Sequence, residues 1–355
     1  AGNAFSSSVA IAAHRSGTVA VIWNDRLKGS SYVKQRSETG QWNARTIIDP
    51  VDGGNQAGPA IEVDAAGNAY AVWQDSRHGS WDIYYAFRPT GDRWGDNLPV
   101  SDGPGFTDQV NPAVAMDAAG TLYAVWEDNR NGNWDIRFAY RPAGGSWSNS
   151  VRLNDDDGVA NQRNPVIATN SAGYVIILWQ DKREGSWDIY SVLRSSSGFW
   201  SPNLRVDDDP GHSDQIEPSV ALDAAGSAYA VWEDNRSSLS AIRFALRLIG
   251  GIWISHAQVT SGSIAYRSPA IAVNPIGEAF AVFEGRDSGQ DHVYGIFRST
   301  QTGWQSQTVL GESTAGYRMA SPDAAVDDLG AIHAIWLERS GQIFAAYRLP
   351  GGGWG

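Results

Sequence analysis

The densest chemistry in this sequence is a loop that recurs with an acid, a base and an aromatic in fixed order. Asp75 and Arg77, Asp128 and Arg130, and Asp181 and Arg183 each stand two residues apart. The pairs are followed by Trp81-Asp82, Trp134-Asp135 and Trp187-Asp188. An indole face stacks on sugar C–H groups while Asp and Arg hydrogen-bond hydroxyls, so three copies could bind a glycan multivalently. The same residues could instead staple a loop. Asp would accept from turn N–H groups, Arg would bridge to the next unit and Trp would pack between units. Even repetition is what a structural role demands, and it favours the staple.

Departures from repetition carry more information, because symmetry cannot explain them. One position reads Gln56, Gln109, Gln162 and Gln215 in four copies, then Tyr266 followed by Arg267, and finally Arg318 preceded by Tyr317. Arg163 and Glu217 are further departures nearby, and one copy replaces its acid–base loop with Glu284, Arg286 and Asp287. Arg, Tyr and acidic residues converging in one place could bind a carboxylate or a sugar. Drift in degenerate copies is the plainer alternative.

Other chemistries find little support. Asp155, Asp156 and Asp157, like Asp207, Asp208 and Asp209, could gather Ca2+, a hard cation that takes carboxylate and carbonyl oxygens. Neither run has the spacing of a calcium loop with a closing bidentate Glu, so a solvated acidic turn is expected and no cofactor is assigned. The six His are scattered without metal-ligand spacing. No nucleophile elbow or phosphate-cradling loop occurs, and no residue is assigned as catalytic. The absence of Cys removes disulfides and thiolate chemistry. A formal charge of −12 without a Lys/Arg run argues against nucleic acid and anionic membranes. No apolar stretch is long enough to insert in a membrane.

The elements that hold these residues follow from a repeat. One aromatic recurs as Trp23, Trp73, Trp126, Trp179, Trp232, Phe283 and Trp336, at steps of 50 to 53 residues. A second series runs Trp42, Trp94, Trp147, Trp200, Trp253, Trp304 and Trp354. With Trp81, Trp134 and Trp187 these account for all 16 Trp. Each copy reads as four short strands (A to D), such as PAVAMD, LYAVWED, WDIRFAYRP and WSNSVRL, punctuated by Gly, Asn and Asp. Four strands repeated seven times predict an all-β, seven-bladed propeller as one domain over residues 1–355. Gly17, Gly67, Gly120, Gly173, Gly226, Gly277 and Gly330 close the A–B turns, and Pro59 and its five equivalents open strand A. The last outer strand is missing from the pattern. A continuation of ~10 residues, or a strand donated by a partner, would complete it.

Strand direction puts the D–A and B–C loops on one face, and these are the longer, richer loops where function is expected. The turns SETGQW, SSSGFW and STQTGW, with VRLNDDDG and LRVDDDPGHSDQ, resemble those of bacterial BNR-repeat, sialidase-like propellers. Ser, Gly and Trp of that family's Asp-box are present and its Asp is not. The resemblance implies a propeller fold and an extracellular or cell-surface bacterial protein. It suggests a catalytic set that Arg163, Arg267, Arg318, Tyr266 and Tyr317 match only loosely. The reading favoured at this point is a non-catalytic module binding a glycan or protein through the loop-rich face. The alternatives are a sialidase-like glycoside hydrolase or lyase at the axial mouth, and a structural subunit of a larger assembly.

Overall fold

The computed structural model describes residues 9–14, 17–25, 29–37, 39–48, 54–101, 107–313, 318–327, 330–338, 342–349, 352 and 354. The described chain forms seven antiparallel sheets in a ring, with no helix among them. The inner strands are Val9–Ala13, Gln56–Val63, Gln109–Met116, Gln162–Thr169, Gln215–Leu222, Tyr266–Val273 and Met319–Val326. Each packs on the next, and the last packs on the first, which closes the ring. The outer strand of blade 6 is split in two. Among the described residues blade 7 has three strands and an isolated bridge between Arg348 and Trp354.

The core lies between blades, not within them. Each sheet buries both faces, so its middle strand reads as a continuous apolar run (AYAVW, LYAVW, VIILW). The anchoring aromatics Trp73, Trp126, Trp179 and Trp232, with Phe283, are fully buried. Apolar clusters join successive blades: Trp73 packs with Val33 and Ile48 of blade 1, and Trp179 with Phe138 and Leu153 of blade 3. The second Trp series reaches back in the same way. Trp147, Trp200 and Trp304 meet Tyr85, Phe138 and Phe244 of the preceding blade edge-on, with centroids 5.6, 4.9 and 5.2 Å apart.

One detail of the inner strands differs from the sequence expectation and shapes the site. The prolines do not open strand A; they sit four residues in, at a β-bulge where the register slips. The residue before each proline is forced into the left-handed region. Gly58, Asn111, Asn164, Glu217, Ser268 and Ser321 have φ between 50 and 54°. Gly and Asn tolerate this region, whereas for Glu217 it is a strain that its surroundings must hold.

Candidate functional site at the axial mouth

The bulges build a ring of amide donors around the loop-rich end of the axis. The residue after each anchoring aromatic caps the bulged residue of the next blade. Gln74 Oε1 accepts from Asn111 N at 2.8 Å, Glu127 Oε1 from Asn164 N at 2.7 Å, and Gln180 Oε1 from Glu217 N at 2.9 Å. Glu284 Oε1 accepts from Ser321 N at 3.0 Å, and Glu233 is stabilised by the Ser268 amide. Five blades therefore share one structural job, performed by Gln in two of them and Glu in three.

The three glutamates differ in their countercharge. Glu127, fully buried, takes Arg163 Nε of the next blade at 2.5 Å. By the same geometry Arg267 would serve Glu233. Arg267, however, lies opposite Glu284 on its own blade, and its Nε bonds Glu284 Oε2 at 2.7 Å. Arg163 lies opposite the neutral Gln180, so nothing on its own blade competes for it. Among the described residues no guanidinium stands at ion-pair distance from Glu233. Burial, with Glu217 and Glu284 nearby, pushes its carboxyl up to about 7, against opposing pulls from the Ser268 amide and Arg267. Glu217, exposed at the rim, directly follows the strand partner of Glu233.

The proposed site residues fall into three groups. Arg163, Glu217, Arg267 and Arg318 belong to the segments entering strand A at the mouth. Arg318 is exposed, and Arg163 lies 4.5 Å over the half-buried Trp134 ring. Tyr266 is only 3% exposed; its hydroxyl donates to Ser261 O at 2.7 Å and its ring packs edge-on to Phe283 and Tyr294. Tyr317 lies outside the described residues.

The repeated loops form staples. In blade 2, Asp75 Oδ1 accepts Arg77 N at 2.9 Å and Nε at 3.0 Å, while Oδ2 accepts Arg77 Nη2 at 2.6 Å and the Trp73 indole N–H at 3.2 Å. Trp81, Trp134 and Trp187 are half-buried. Their backbone N–H groups each donate at 3.0 Å to the D–A loop (Asp108, Asn161 and Asp214). Asp82, Asp135 and Asp188 are at most 1% exposed, inside the sheets. Asp135 accepts from Asn131 and Asn154, and Asp188 takes Arg205 at 2.7 Å.

The acidic run of the fifth D–A loop is likewise occupied. Asp207 accepts Arg205 at 2.8 Å and Asp209 accepts from Gly211 N and Gln215, so protein donors fill the places a cation would take. Among the described residues no His/Asp/Glu group has the geometry to hold a metal.

Sequence reasoning did not find Glu233, Asp291, Glu62 or Asp323. Glu62 and Asp323 project from the inner strands of blades 2 and 7 on either side of the small Ala10 and Ala12. Asp323 Oδ2 accepts Ile11 N at 3.0 Å across the closing seam. Burial raises Glu62 to about 8 and Asp323 to about 6, and Asp323 adds to the shift of Glu62. A cavity of about 980 Å³ lies in this same seam, lined by Trp23, Trp42, Lys34, Arg45 and Tyr347 among others. It holds no carboxylate, so no acid–base pair points to it.

No family model matches the sequence, and no curated protein matches it. Solved structures resemble its fold at low identity. A polysaccharide lyase of family PL25, an ulvan lyase bound to -[GlcA(1-4)Rha3S]-, superposes with a TM-score of 0.68 at 14% identity, over 95% of this chain and 90% of that one. The leech intramolecular trans-sialidase gives 0.55 at 8%, over 92% and 82%. The GH93 α-L-arabinofuranosidase of Fusarium graminearum gives 0.56 at 12%, over 86% and 96%. The chain is thus a seven-bladed propeller of the shape shared by sialidase-like and other glycan-active proteins. No match supports BNR repeats or Asp-boxes specifically. The expectation of a non-catalytic binding module is corrected here: these neighbours are named as catalysts, and the described mouth contains an acid that its structural role does not require.

Proposed function

We propose that the protein cleaves glycosidic bonds in a polysaccharide at the axial mouth, with Glu233 as general acid and Glu217 as the partner carboxylate. One observation carries this reading: burial raises all three glutamates doing the same structural job, and among the described residues only Glu233, raised to about 7, has no guanidinium at ion-pair distance. Two carboxyls whose surroundings treat them differently are the requirement for acid–base work on an acetal. The Glu233 proton passes to the glycosidic oxygen as the C–O bond breaks. Glu217 takes a proton from the attacking water, whose oxygen bonds the anomeric carbon, so that the net change is addition of one water. The neighbours named for polysaccharide, sialoside and arabinoside chemistry support a carbohydrate substrate. A polymer substrate too large to cross a membrane supports an extracellular location.

Tyr266 spends its hydroxyl inside the protein, and this favours hydrolysis over an elimination that would use it as the base. Incubation with a polysaccharide panel tests the proposal. New reducing ends without an unsaturated, ultraviolet-absorbing product are expected, with kcat falling as pH rises through about 7. An unsaturated product would transfer the reading to a lyase, and no turnover on any polymer would refute it.

A further inference from the structure

Blade 6 departs from its sisters above the mouth. Its middle strands run on as a tight hairpin, Ala279–Asp287 and Gln290–Ser299, turning through Ser288 and Gly289 at φ 48 and 89°. Blades 2 to 5 have seven-residue strands and a wide loop there. The hairpin places Arg286 opposite Asp291, while Arg267 lies opposite Glu284. By the two-residue alternation of a sheet, these four side chains share one face.

Asp291 stands at the position held by Trp81, Trp134 and Trp187 in blades 2 to 4. Its side chain is 4% exposed, and its Oδ1 has no hydrogen-bond partner. Arg267 Nη2 is 3.9 Å from that oxygen and Arg286 Nε is 3.8 Å. Both separations are too long for hydrogen bonds, and Oδ1 has almost no open surface, so an outside oxygen reaches it when the Arg286 side chain swings aside. A buried, unmatched carboxylate oxygen is costly unless a donor reaches it. The guanidinium above it is loosely held: Arg286 is 46% exposed, and its one direct bond is to Gly289 O at 3.3 Å.

We propose that Asp291, Arg267 and Arg286 form a sugar subsite that takes a hydroxyl of an uncharged monosaccharide unit. The hydroxyl donates to Asp291 Oδ1 and accepts from the two guanidinium groups, and its neighbour on the ring meets the outer edge of Arg286. Charge decides for a hydroxyl against a carboxylate or sulfate. Arg267 is matched by Glu284 and Arg286 by Asp291. Glu217 offsets the exposed Arg318 of the mouth segments, and Glu233 adds no positive charge in either protonation state. A uronate or sulfate would meet Asp291 without surplus positive charge to hold it. The subsite assigns the substrate class of the mouth described above and rests on that reading for its role in turnover, but not for binding.

The experiment measures binding with the Glu233→Gln variant, so that turnover does not interfere. Calorimetry compares neutral oligosaccharides (cello-, xylo-, arabino- and galacto-oligosaccharides) with oligogalacturonates and sialyllactose. At least one neutral series should bind, with affinity nearly unchanged between low and high salt. Asp291→Asn and Arg286→Gln should each weaken it about tenfold or more, with melting temperatures within a few degrees of the parent. Tighter binding of the acidic sugars, with affinity raised by Asp291→Asn, would overturn the subsite. Unchanged neutral-sugar affinity in both variants would do the same. Binding without turnover by the wild-type protein would leave the subsite standing and sink the catalytic reading.

Discussion

Blades 2 to 4 and blades 5 to 6 use nearly the same residues to different ends. In blades 2 to 4 four acids of the loop-rich face each meet an arginine: Asp75 meets Arg77, Asp128 Arg130, Asp181 Arg183 and Glu127 Arg163. In blades 5 and 6 the pattern runs one charge short. Arg267 is drawn to Glu284, Glu233 is left protonated near neutrality, and Asp291 replaces an indole with a carboxylate that lacks a direct partner. In this propeller conspicuous repetition marks the frame, and Glu233 and Asp291, which stand where the repeat changes its pairing, mark the proposed site.

The contrast can be broken first through the frame. Trp179→Ala removes a fully buried wedge between blades 3 and 4 and should cost about 3–5 kcal/mol in chemical denaturation. Asp128→Ala strips Arg130 of its bidentate partner and should cost about 2–3 kcal/mol, while the folded fraction keeps its kcat. A loss of turnover with unchanged stability in Asp128→Ala would contradict the division of labour.

The channel carboxyls sharpen it through pH. Glu62 holds its proton up to about 8 in the folded protein against an ordinary value of 4.5, so the folded state binds protons the unfolded chain has released. Its contribution is therefore present below about 4.5 and is lost as pH rises to about 8. Glu62→Gln should raise stability by about 1–2 kcal/mol at pH 9 and change little at pH 4, as read from melting curves. The smallest effect is expected at the repeated indoles. Trp81→Ala and Trp187→Ala should change kcat by less than about twofold, because their backbones are tied to the D–A loops and they stand on the answered side of the ring.

The frame was legible in the sequence because seven wedges at a near-constant spacing leave little choice of architecture. The mouth was half legible. Arg163, Glu217 and Arg267 stood out as departures, but Glu233 did not, since AVWEDNR reads identically from Ala124 and from Ala230. What separates the two copies is which acid captures the arginine of the following blade, and that depends on Gln180 against Glu284, roughly 50 residues downstream. Asp291 was hidden for another reason: it stands eight residues after Phe283, as Trp81 stands after Trp73, but the Asp-x-Arg and Trp-Asp letters that mark the loop in the sister blades are absent around it. The prolines misled in a small way, as a strand opening and a bulge carry the same residue.

The central claim is that Glu233 does chemistry where its sister Glu127 only supports the ring. Turnover of Glu233→Gln and Glu127→Gln on one polysaccharide tests it, since each Gln can still accept the amide of the next blade. Glu233→Gln should lose about 100-fold or more in kcat at unchanged or higher melting temperature, with Glu127→Gln staying within a few-fold of wild type. Full turnover in Glu233→Gln, or an equal loss in both, would contradict it.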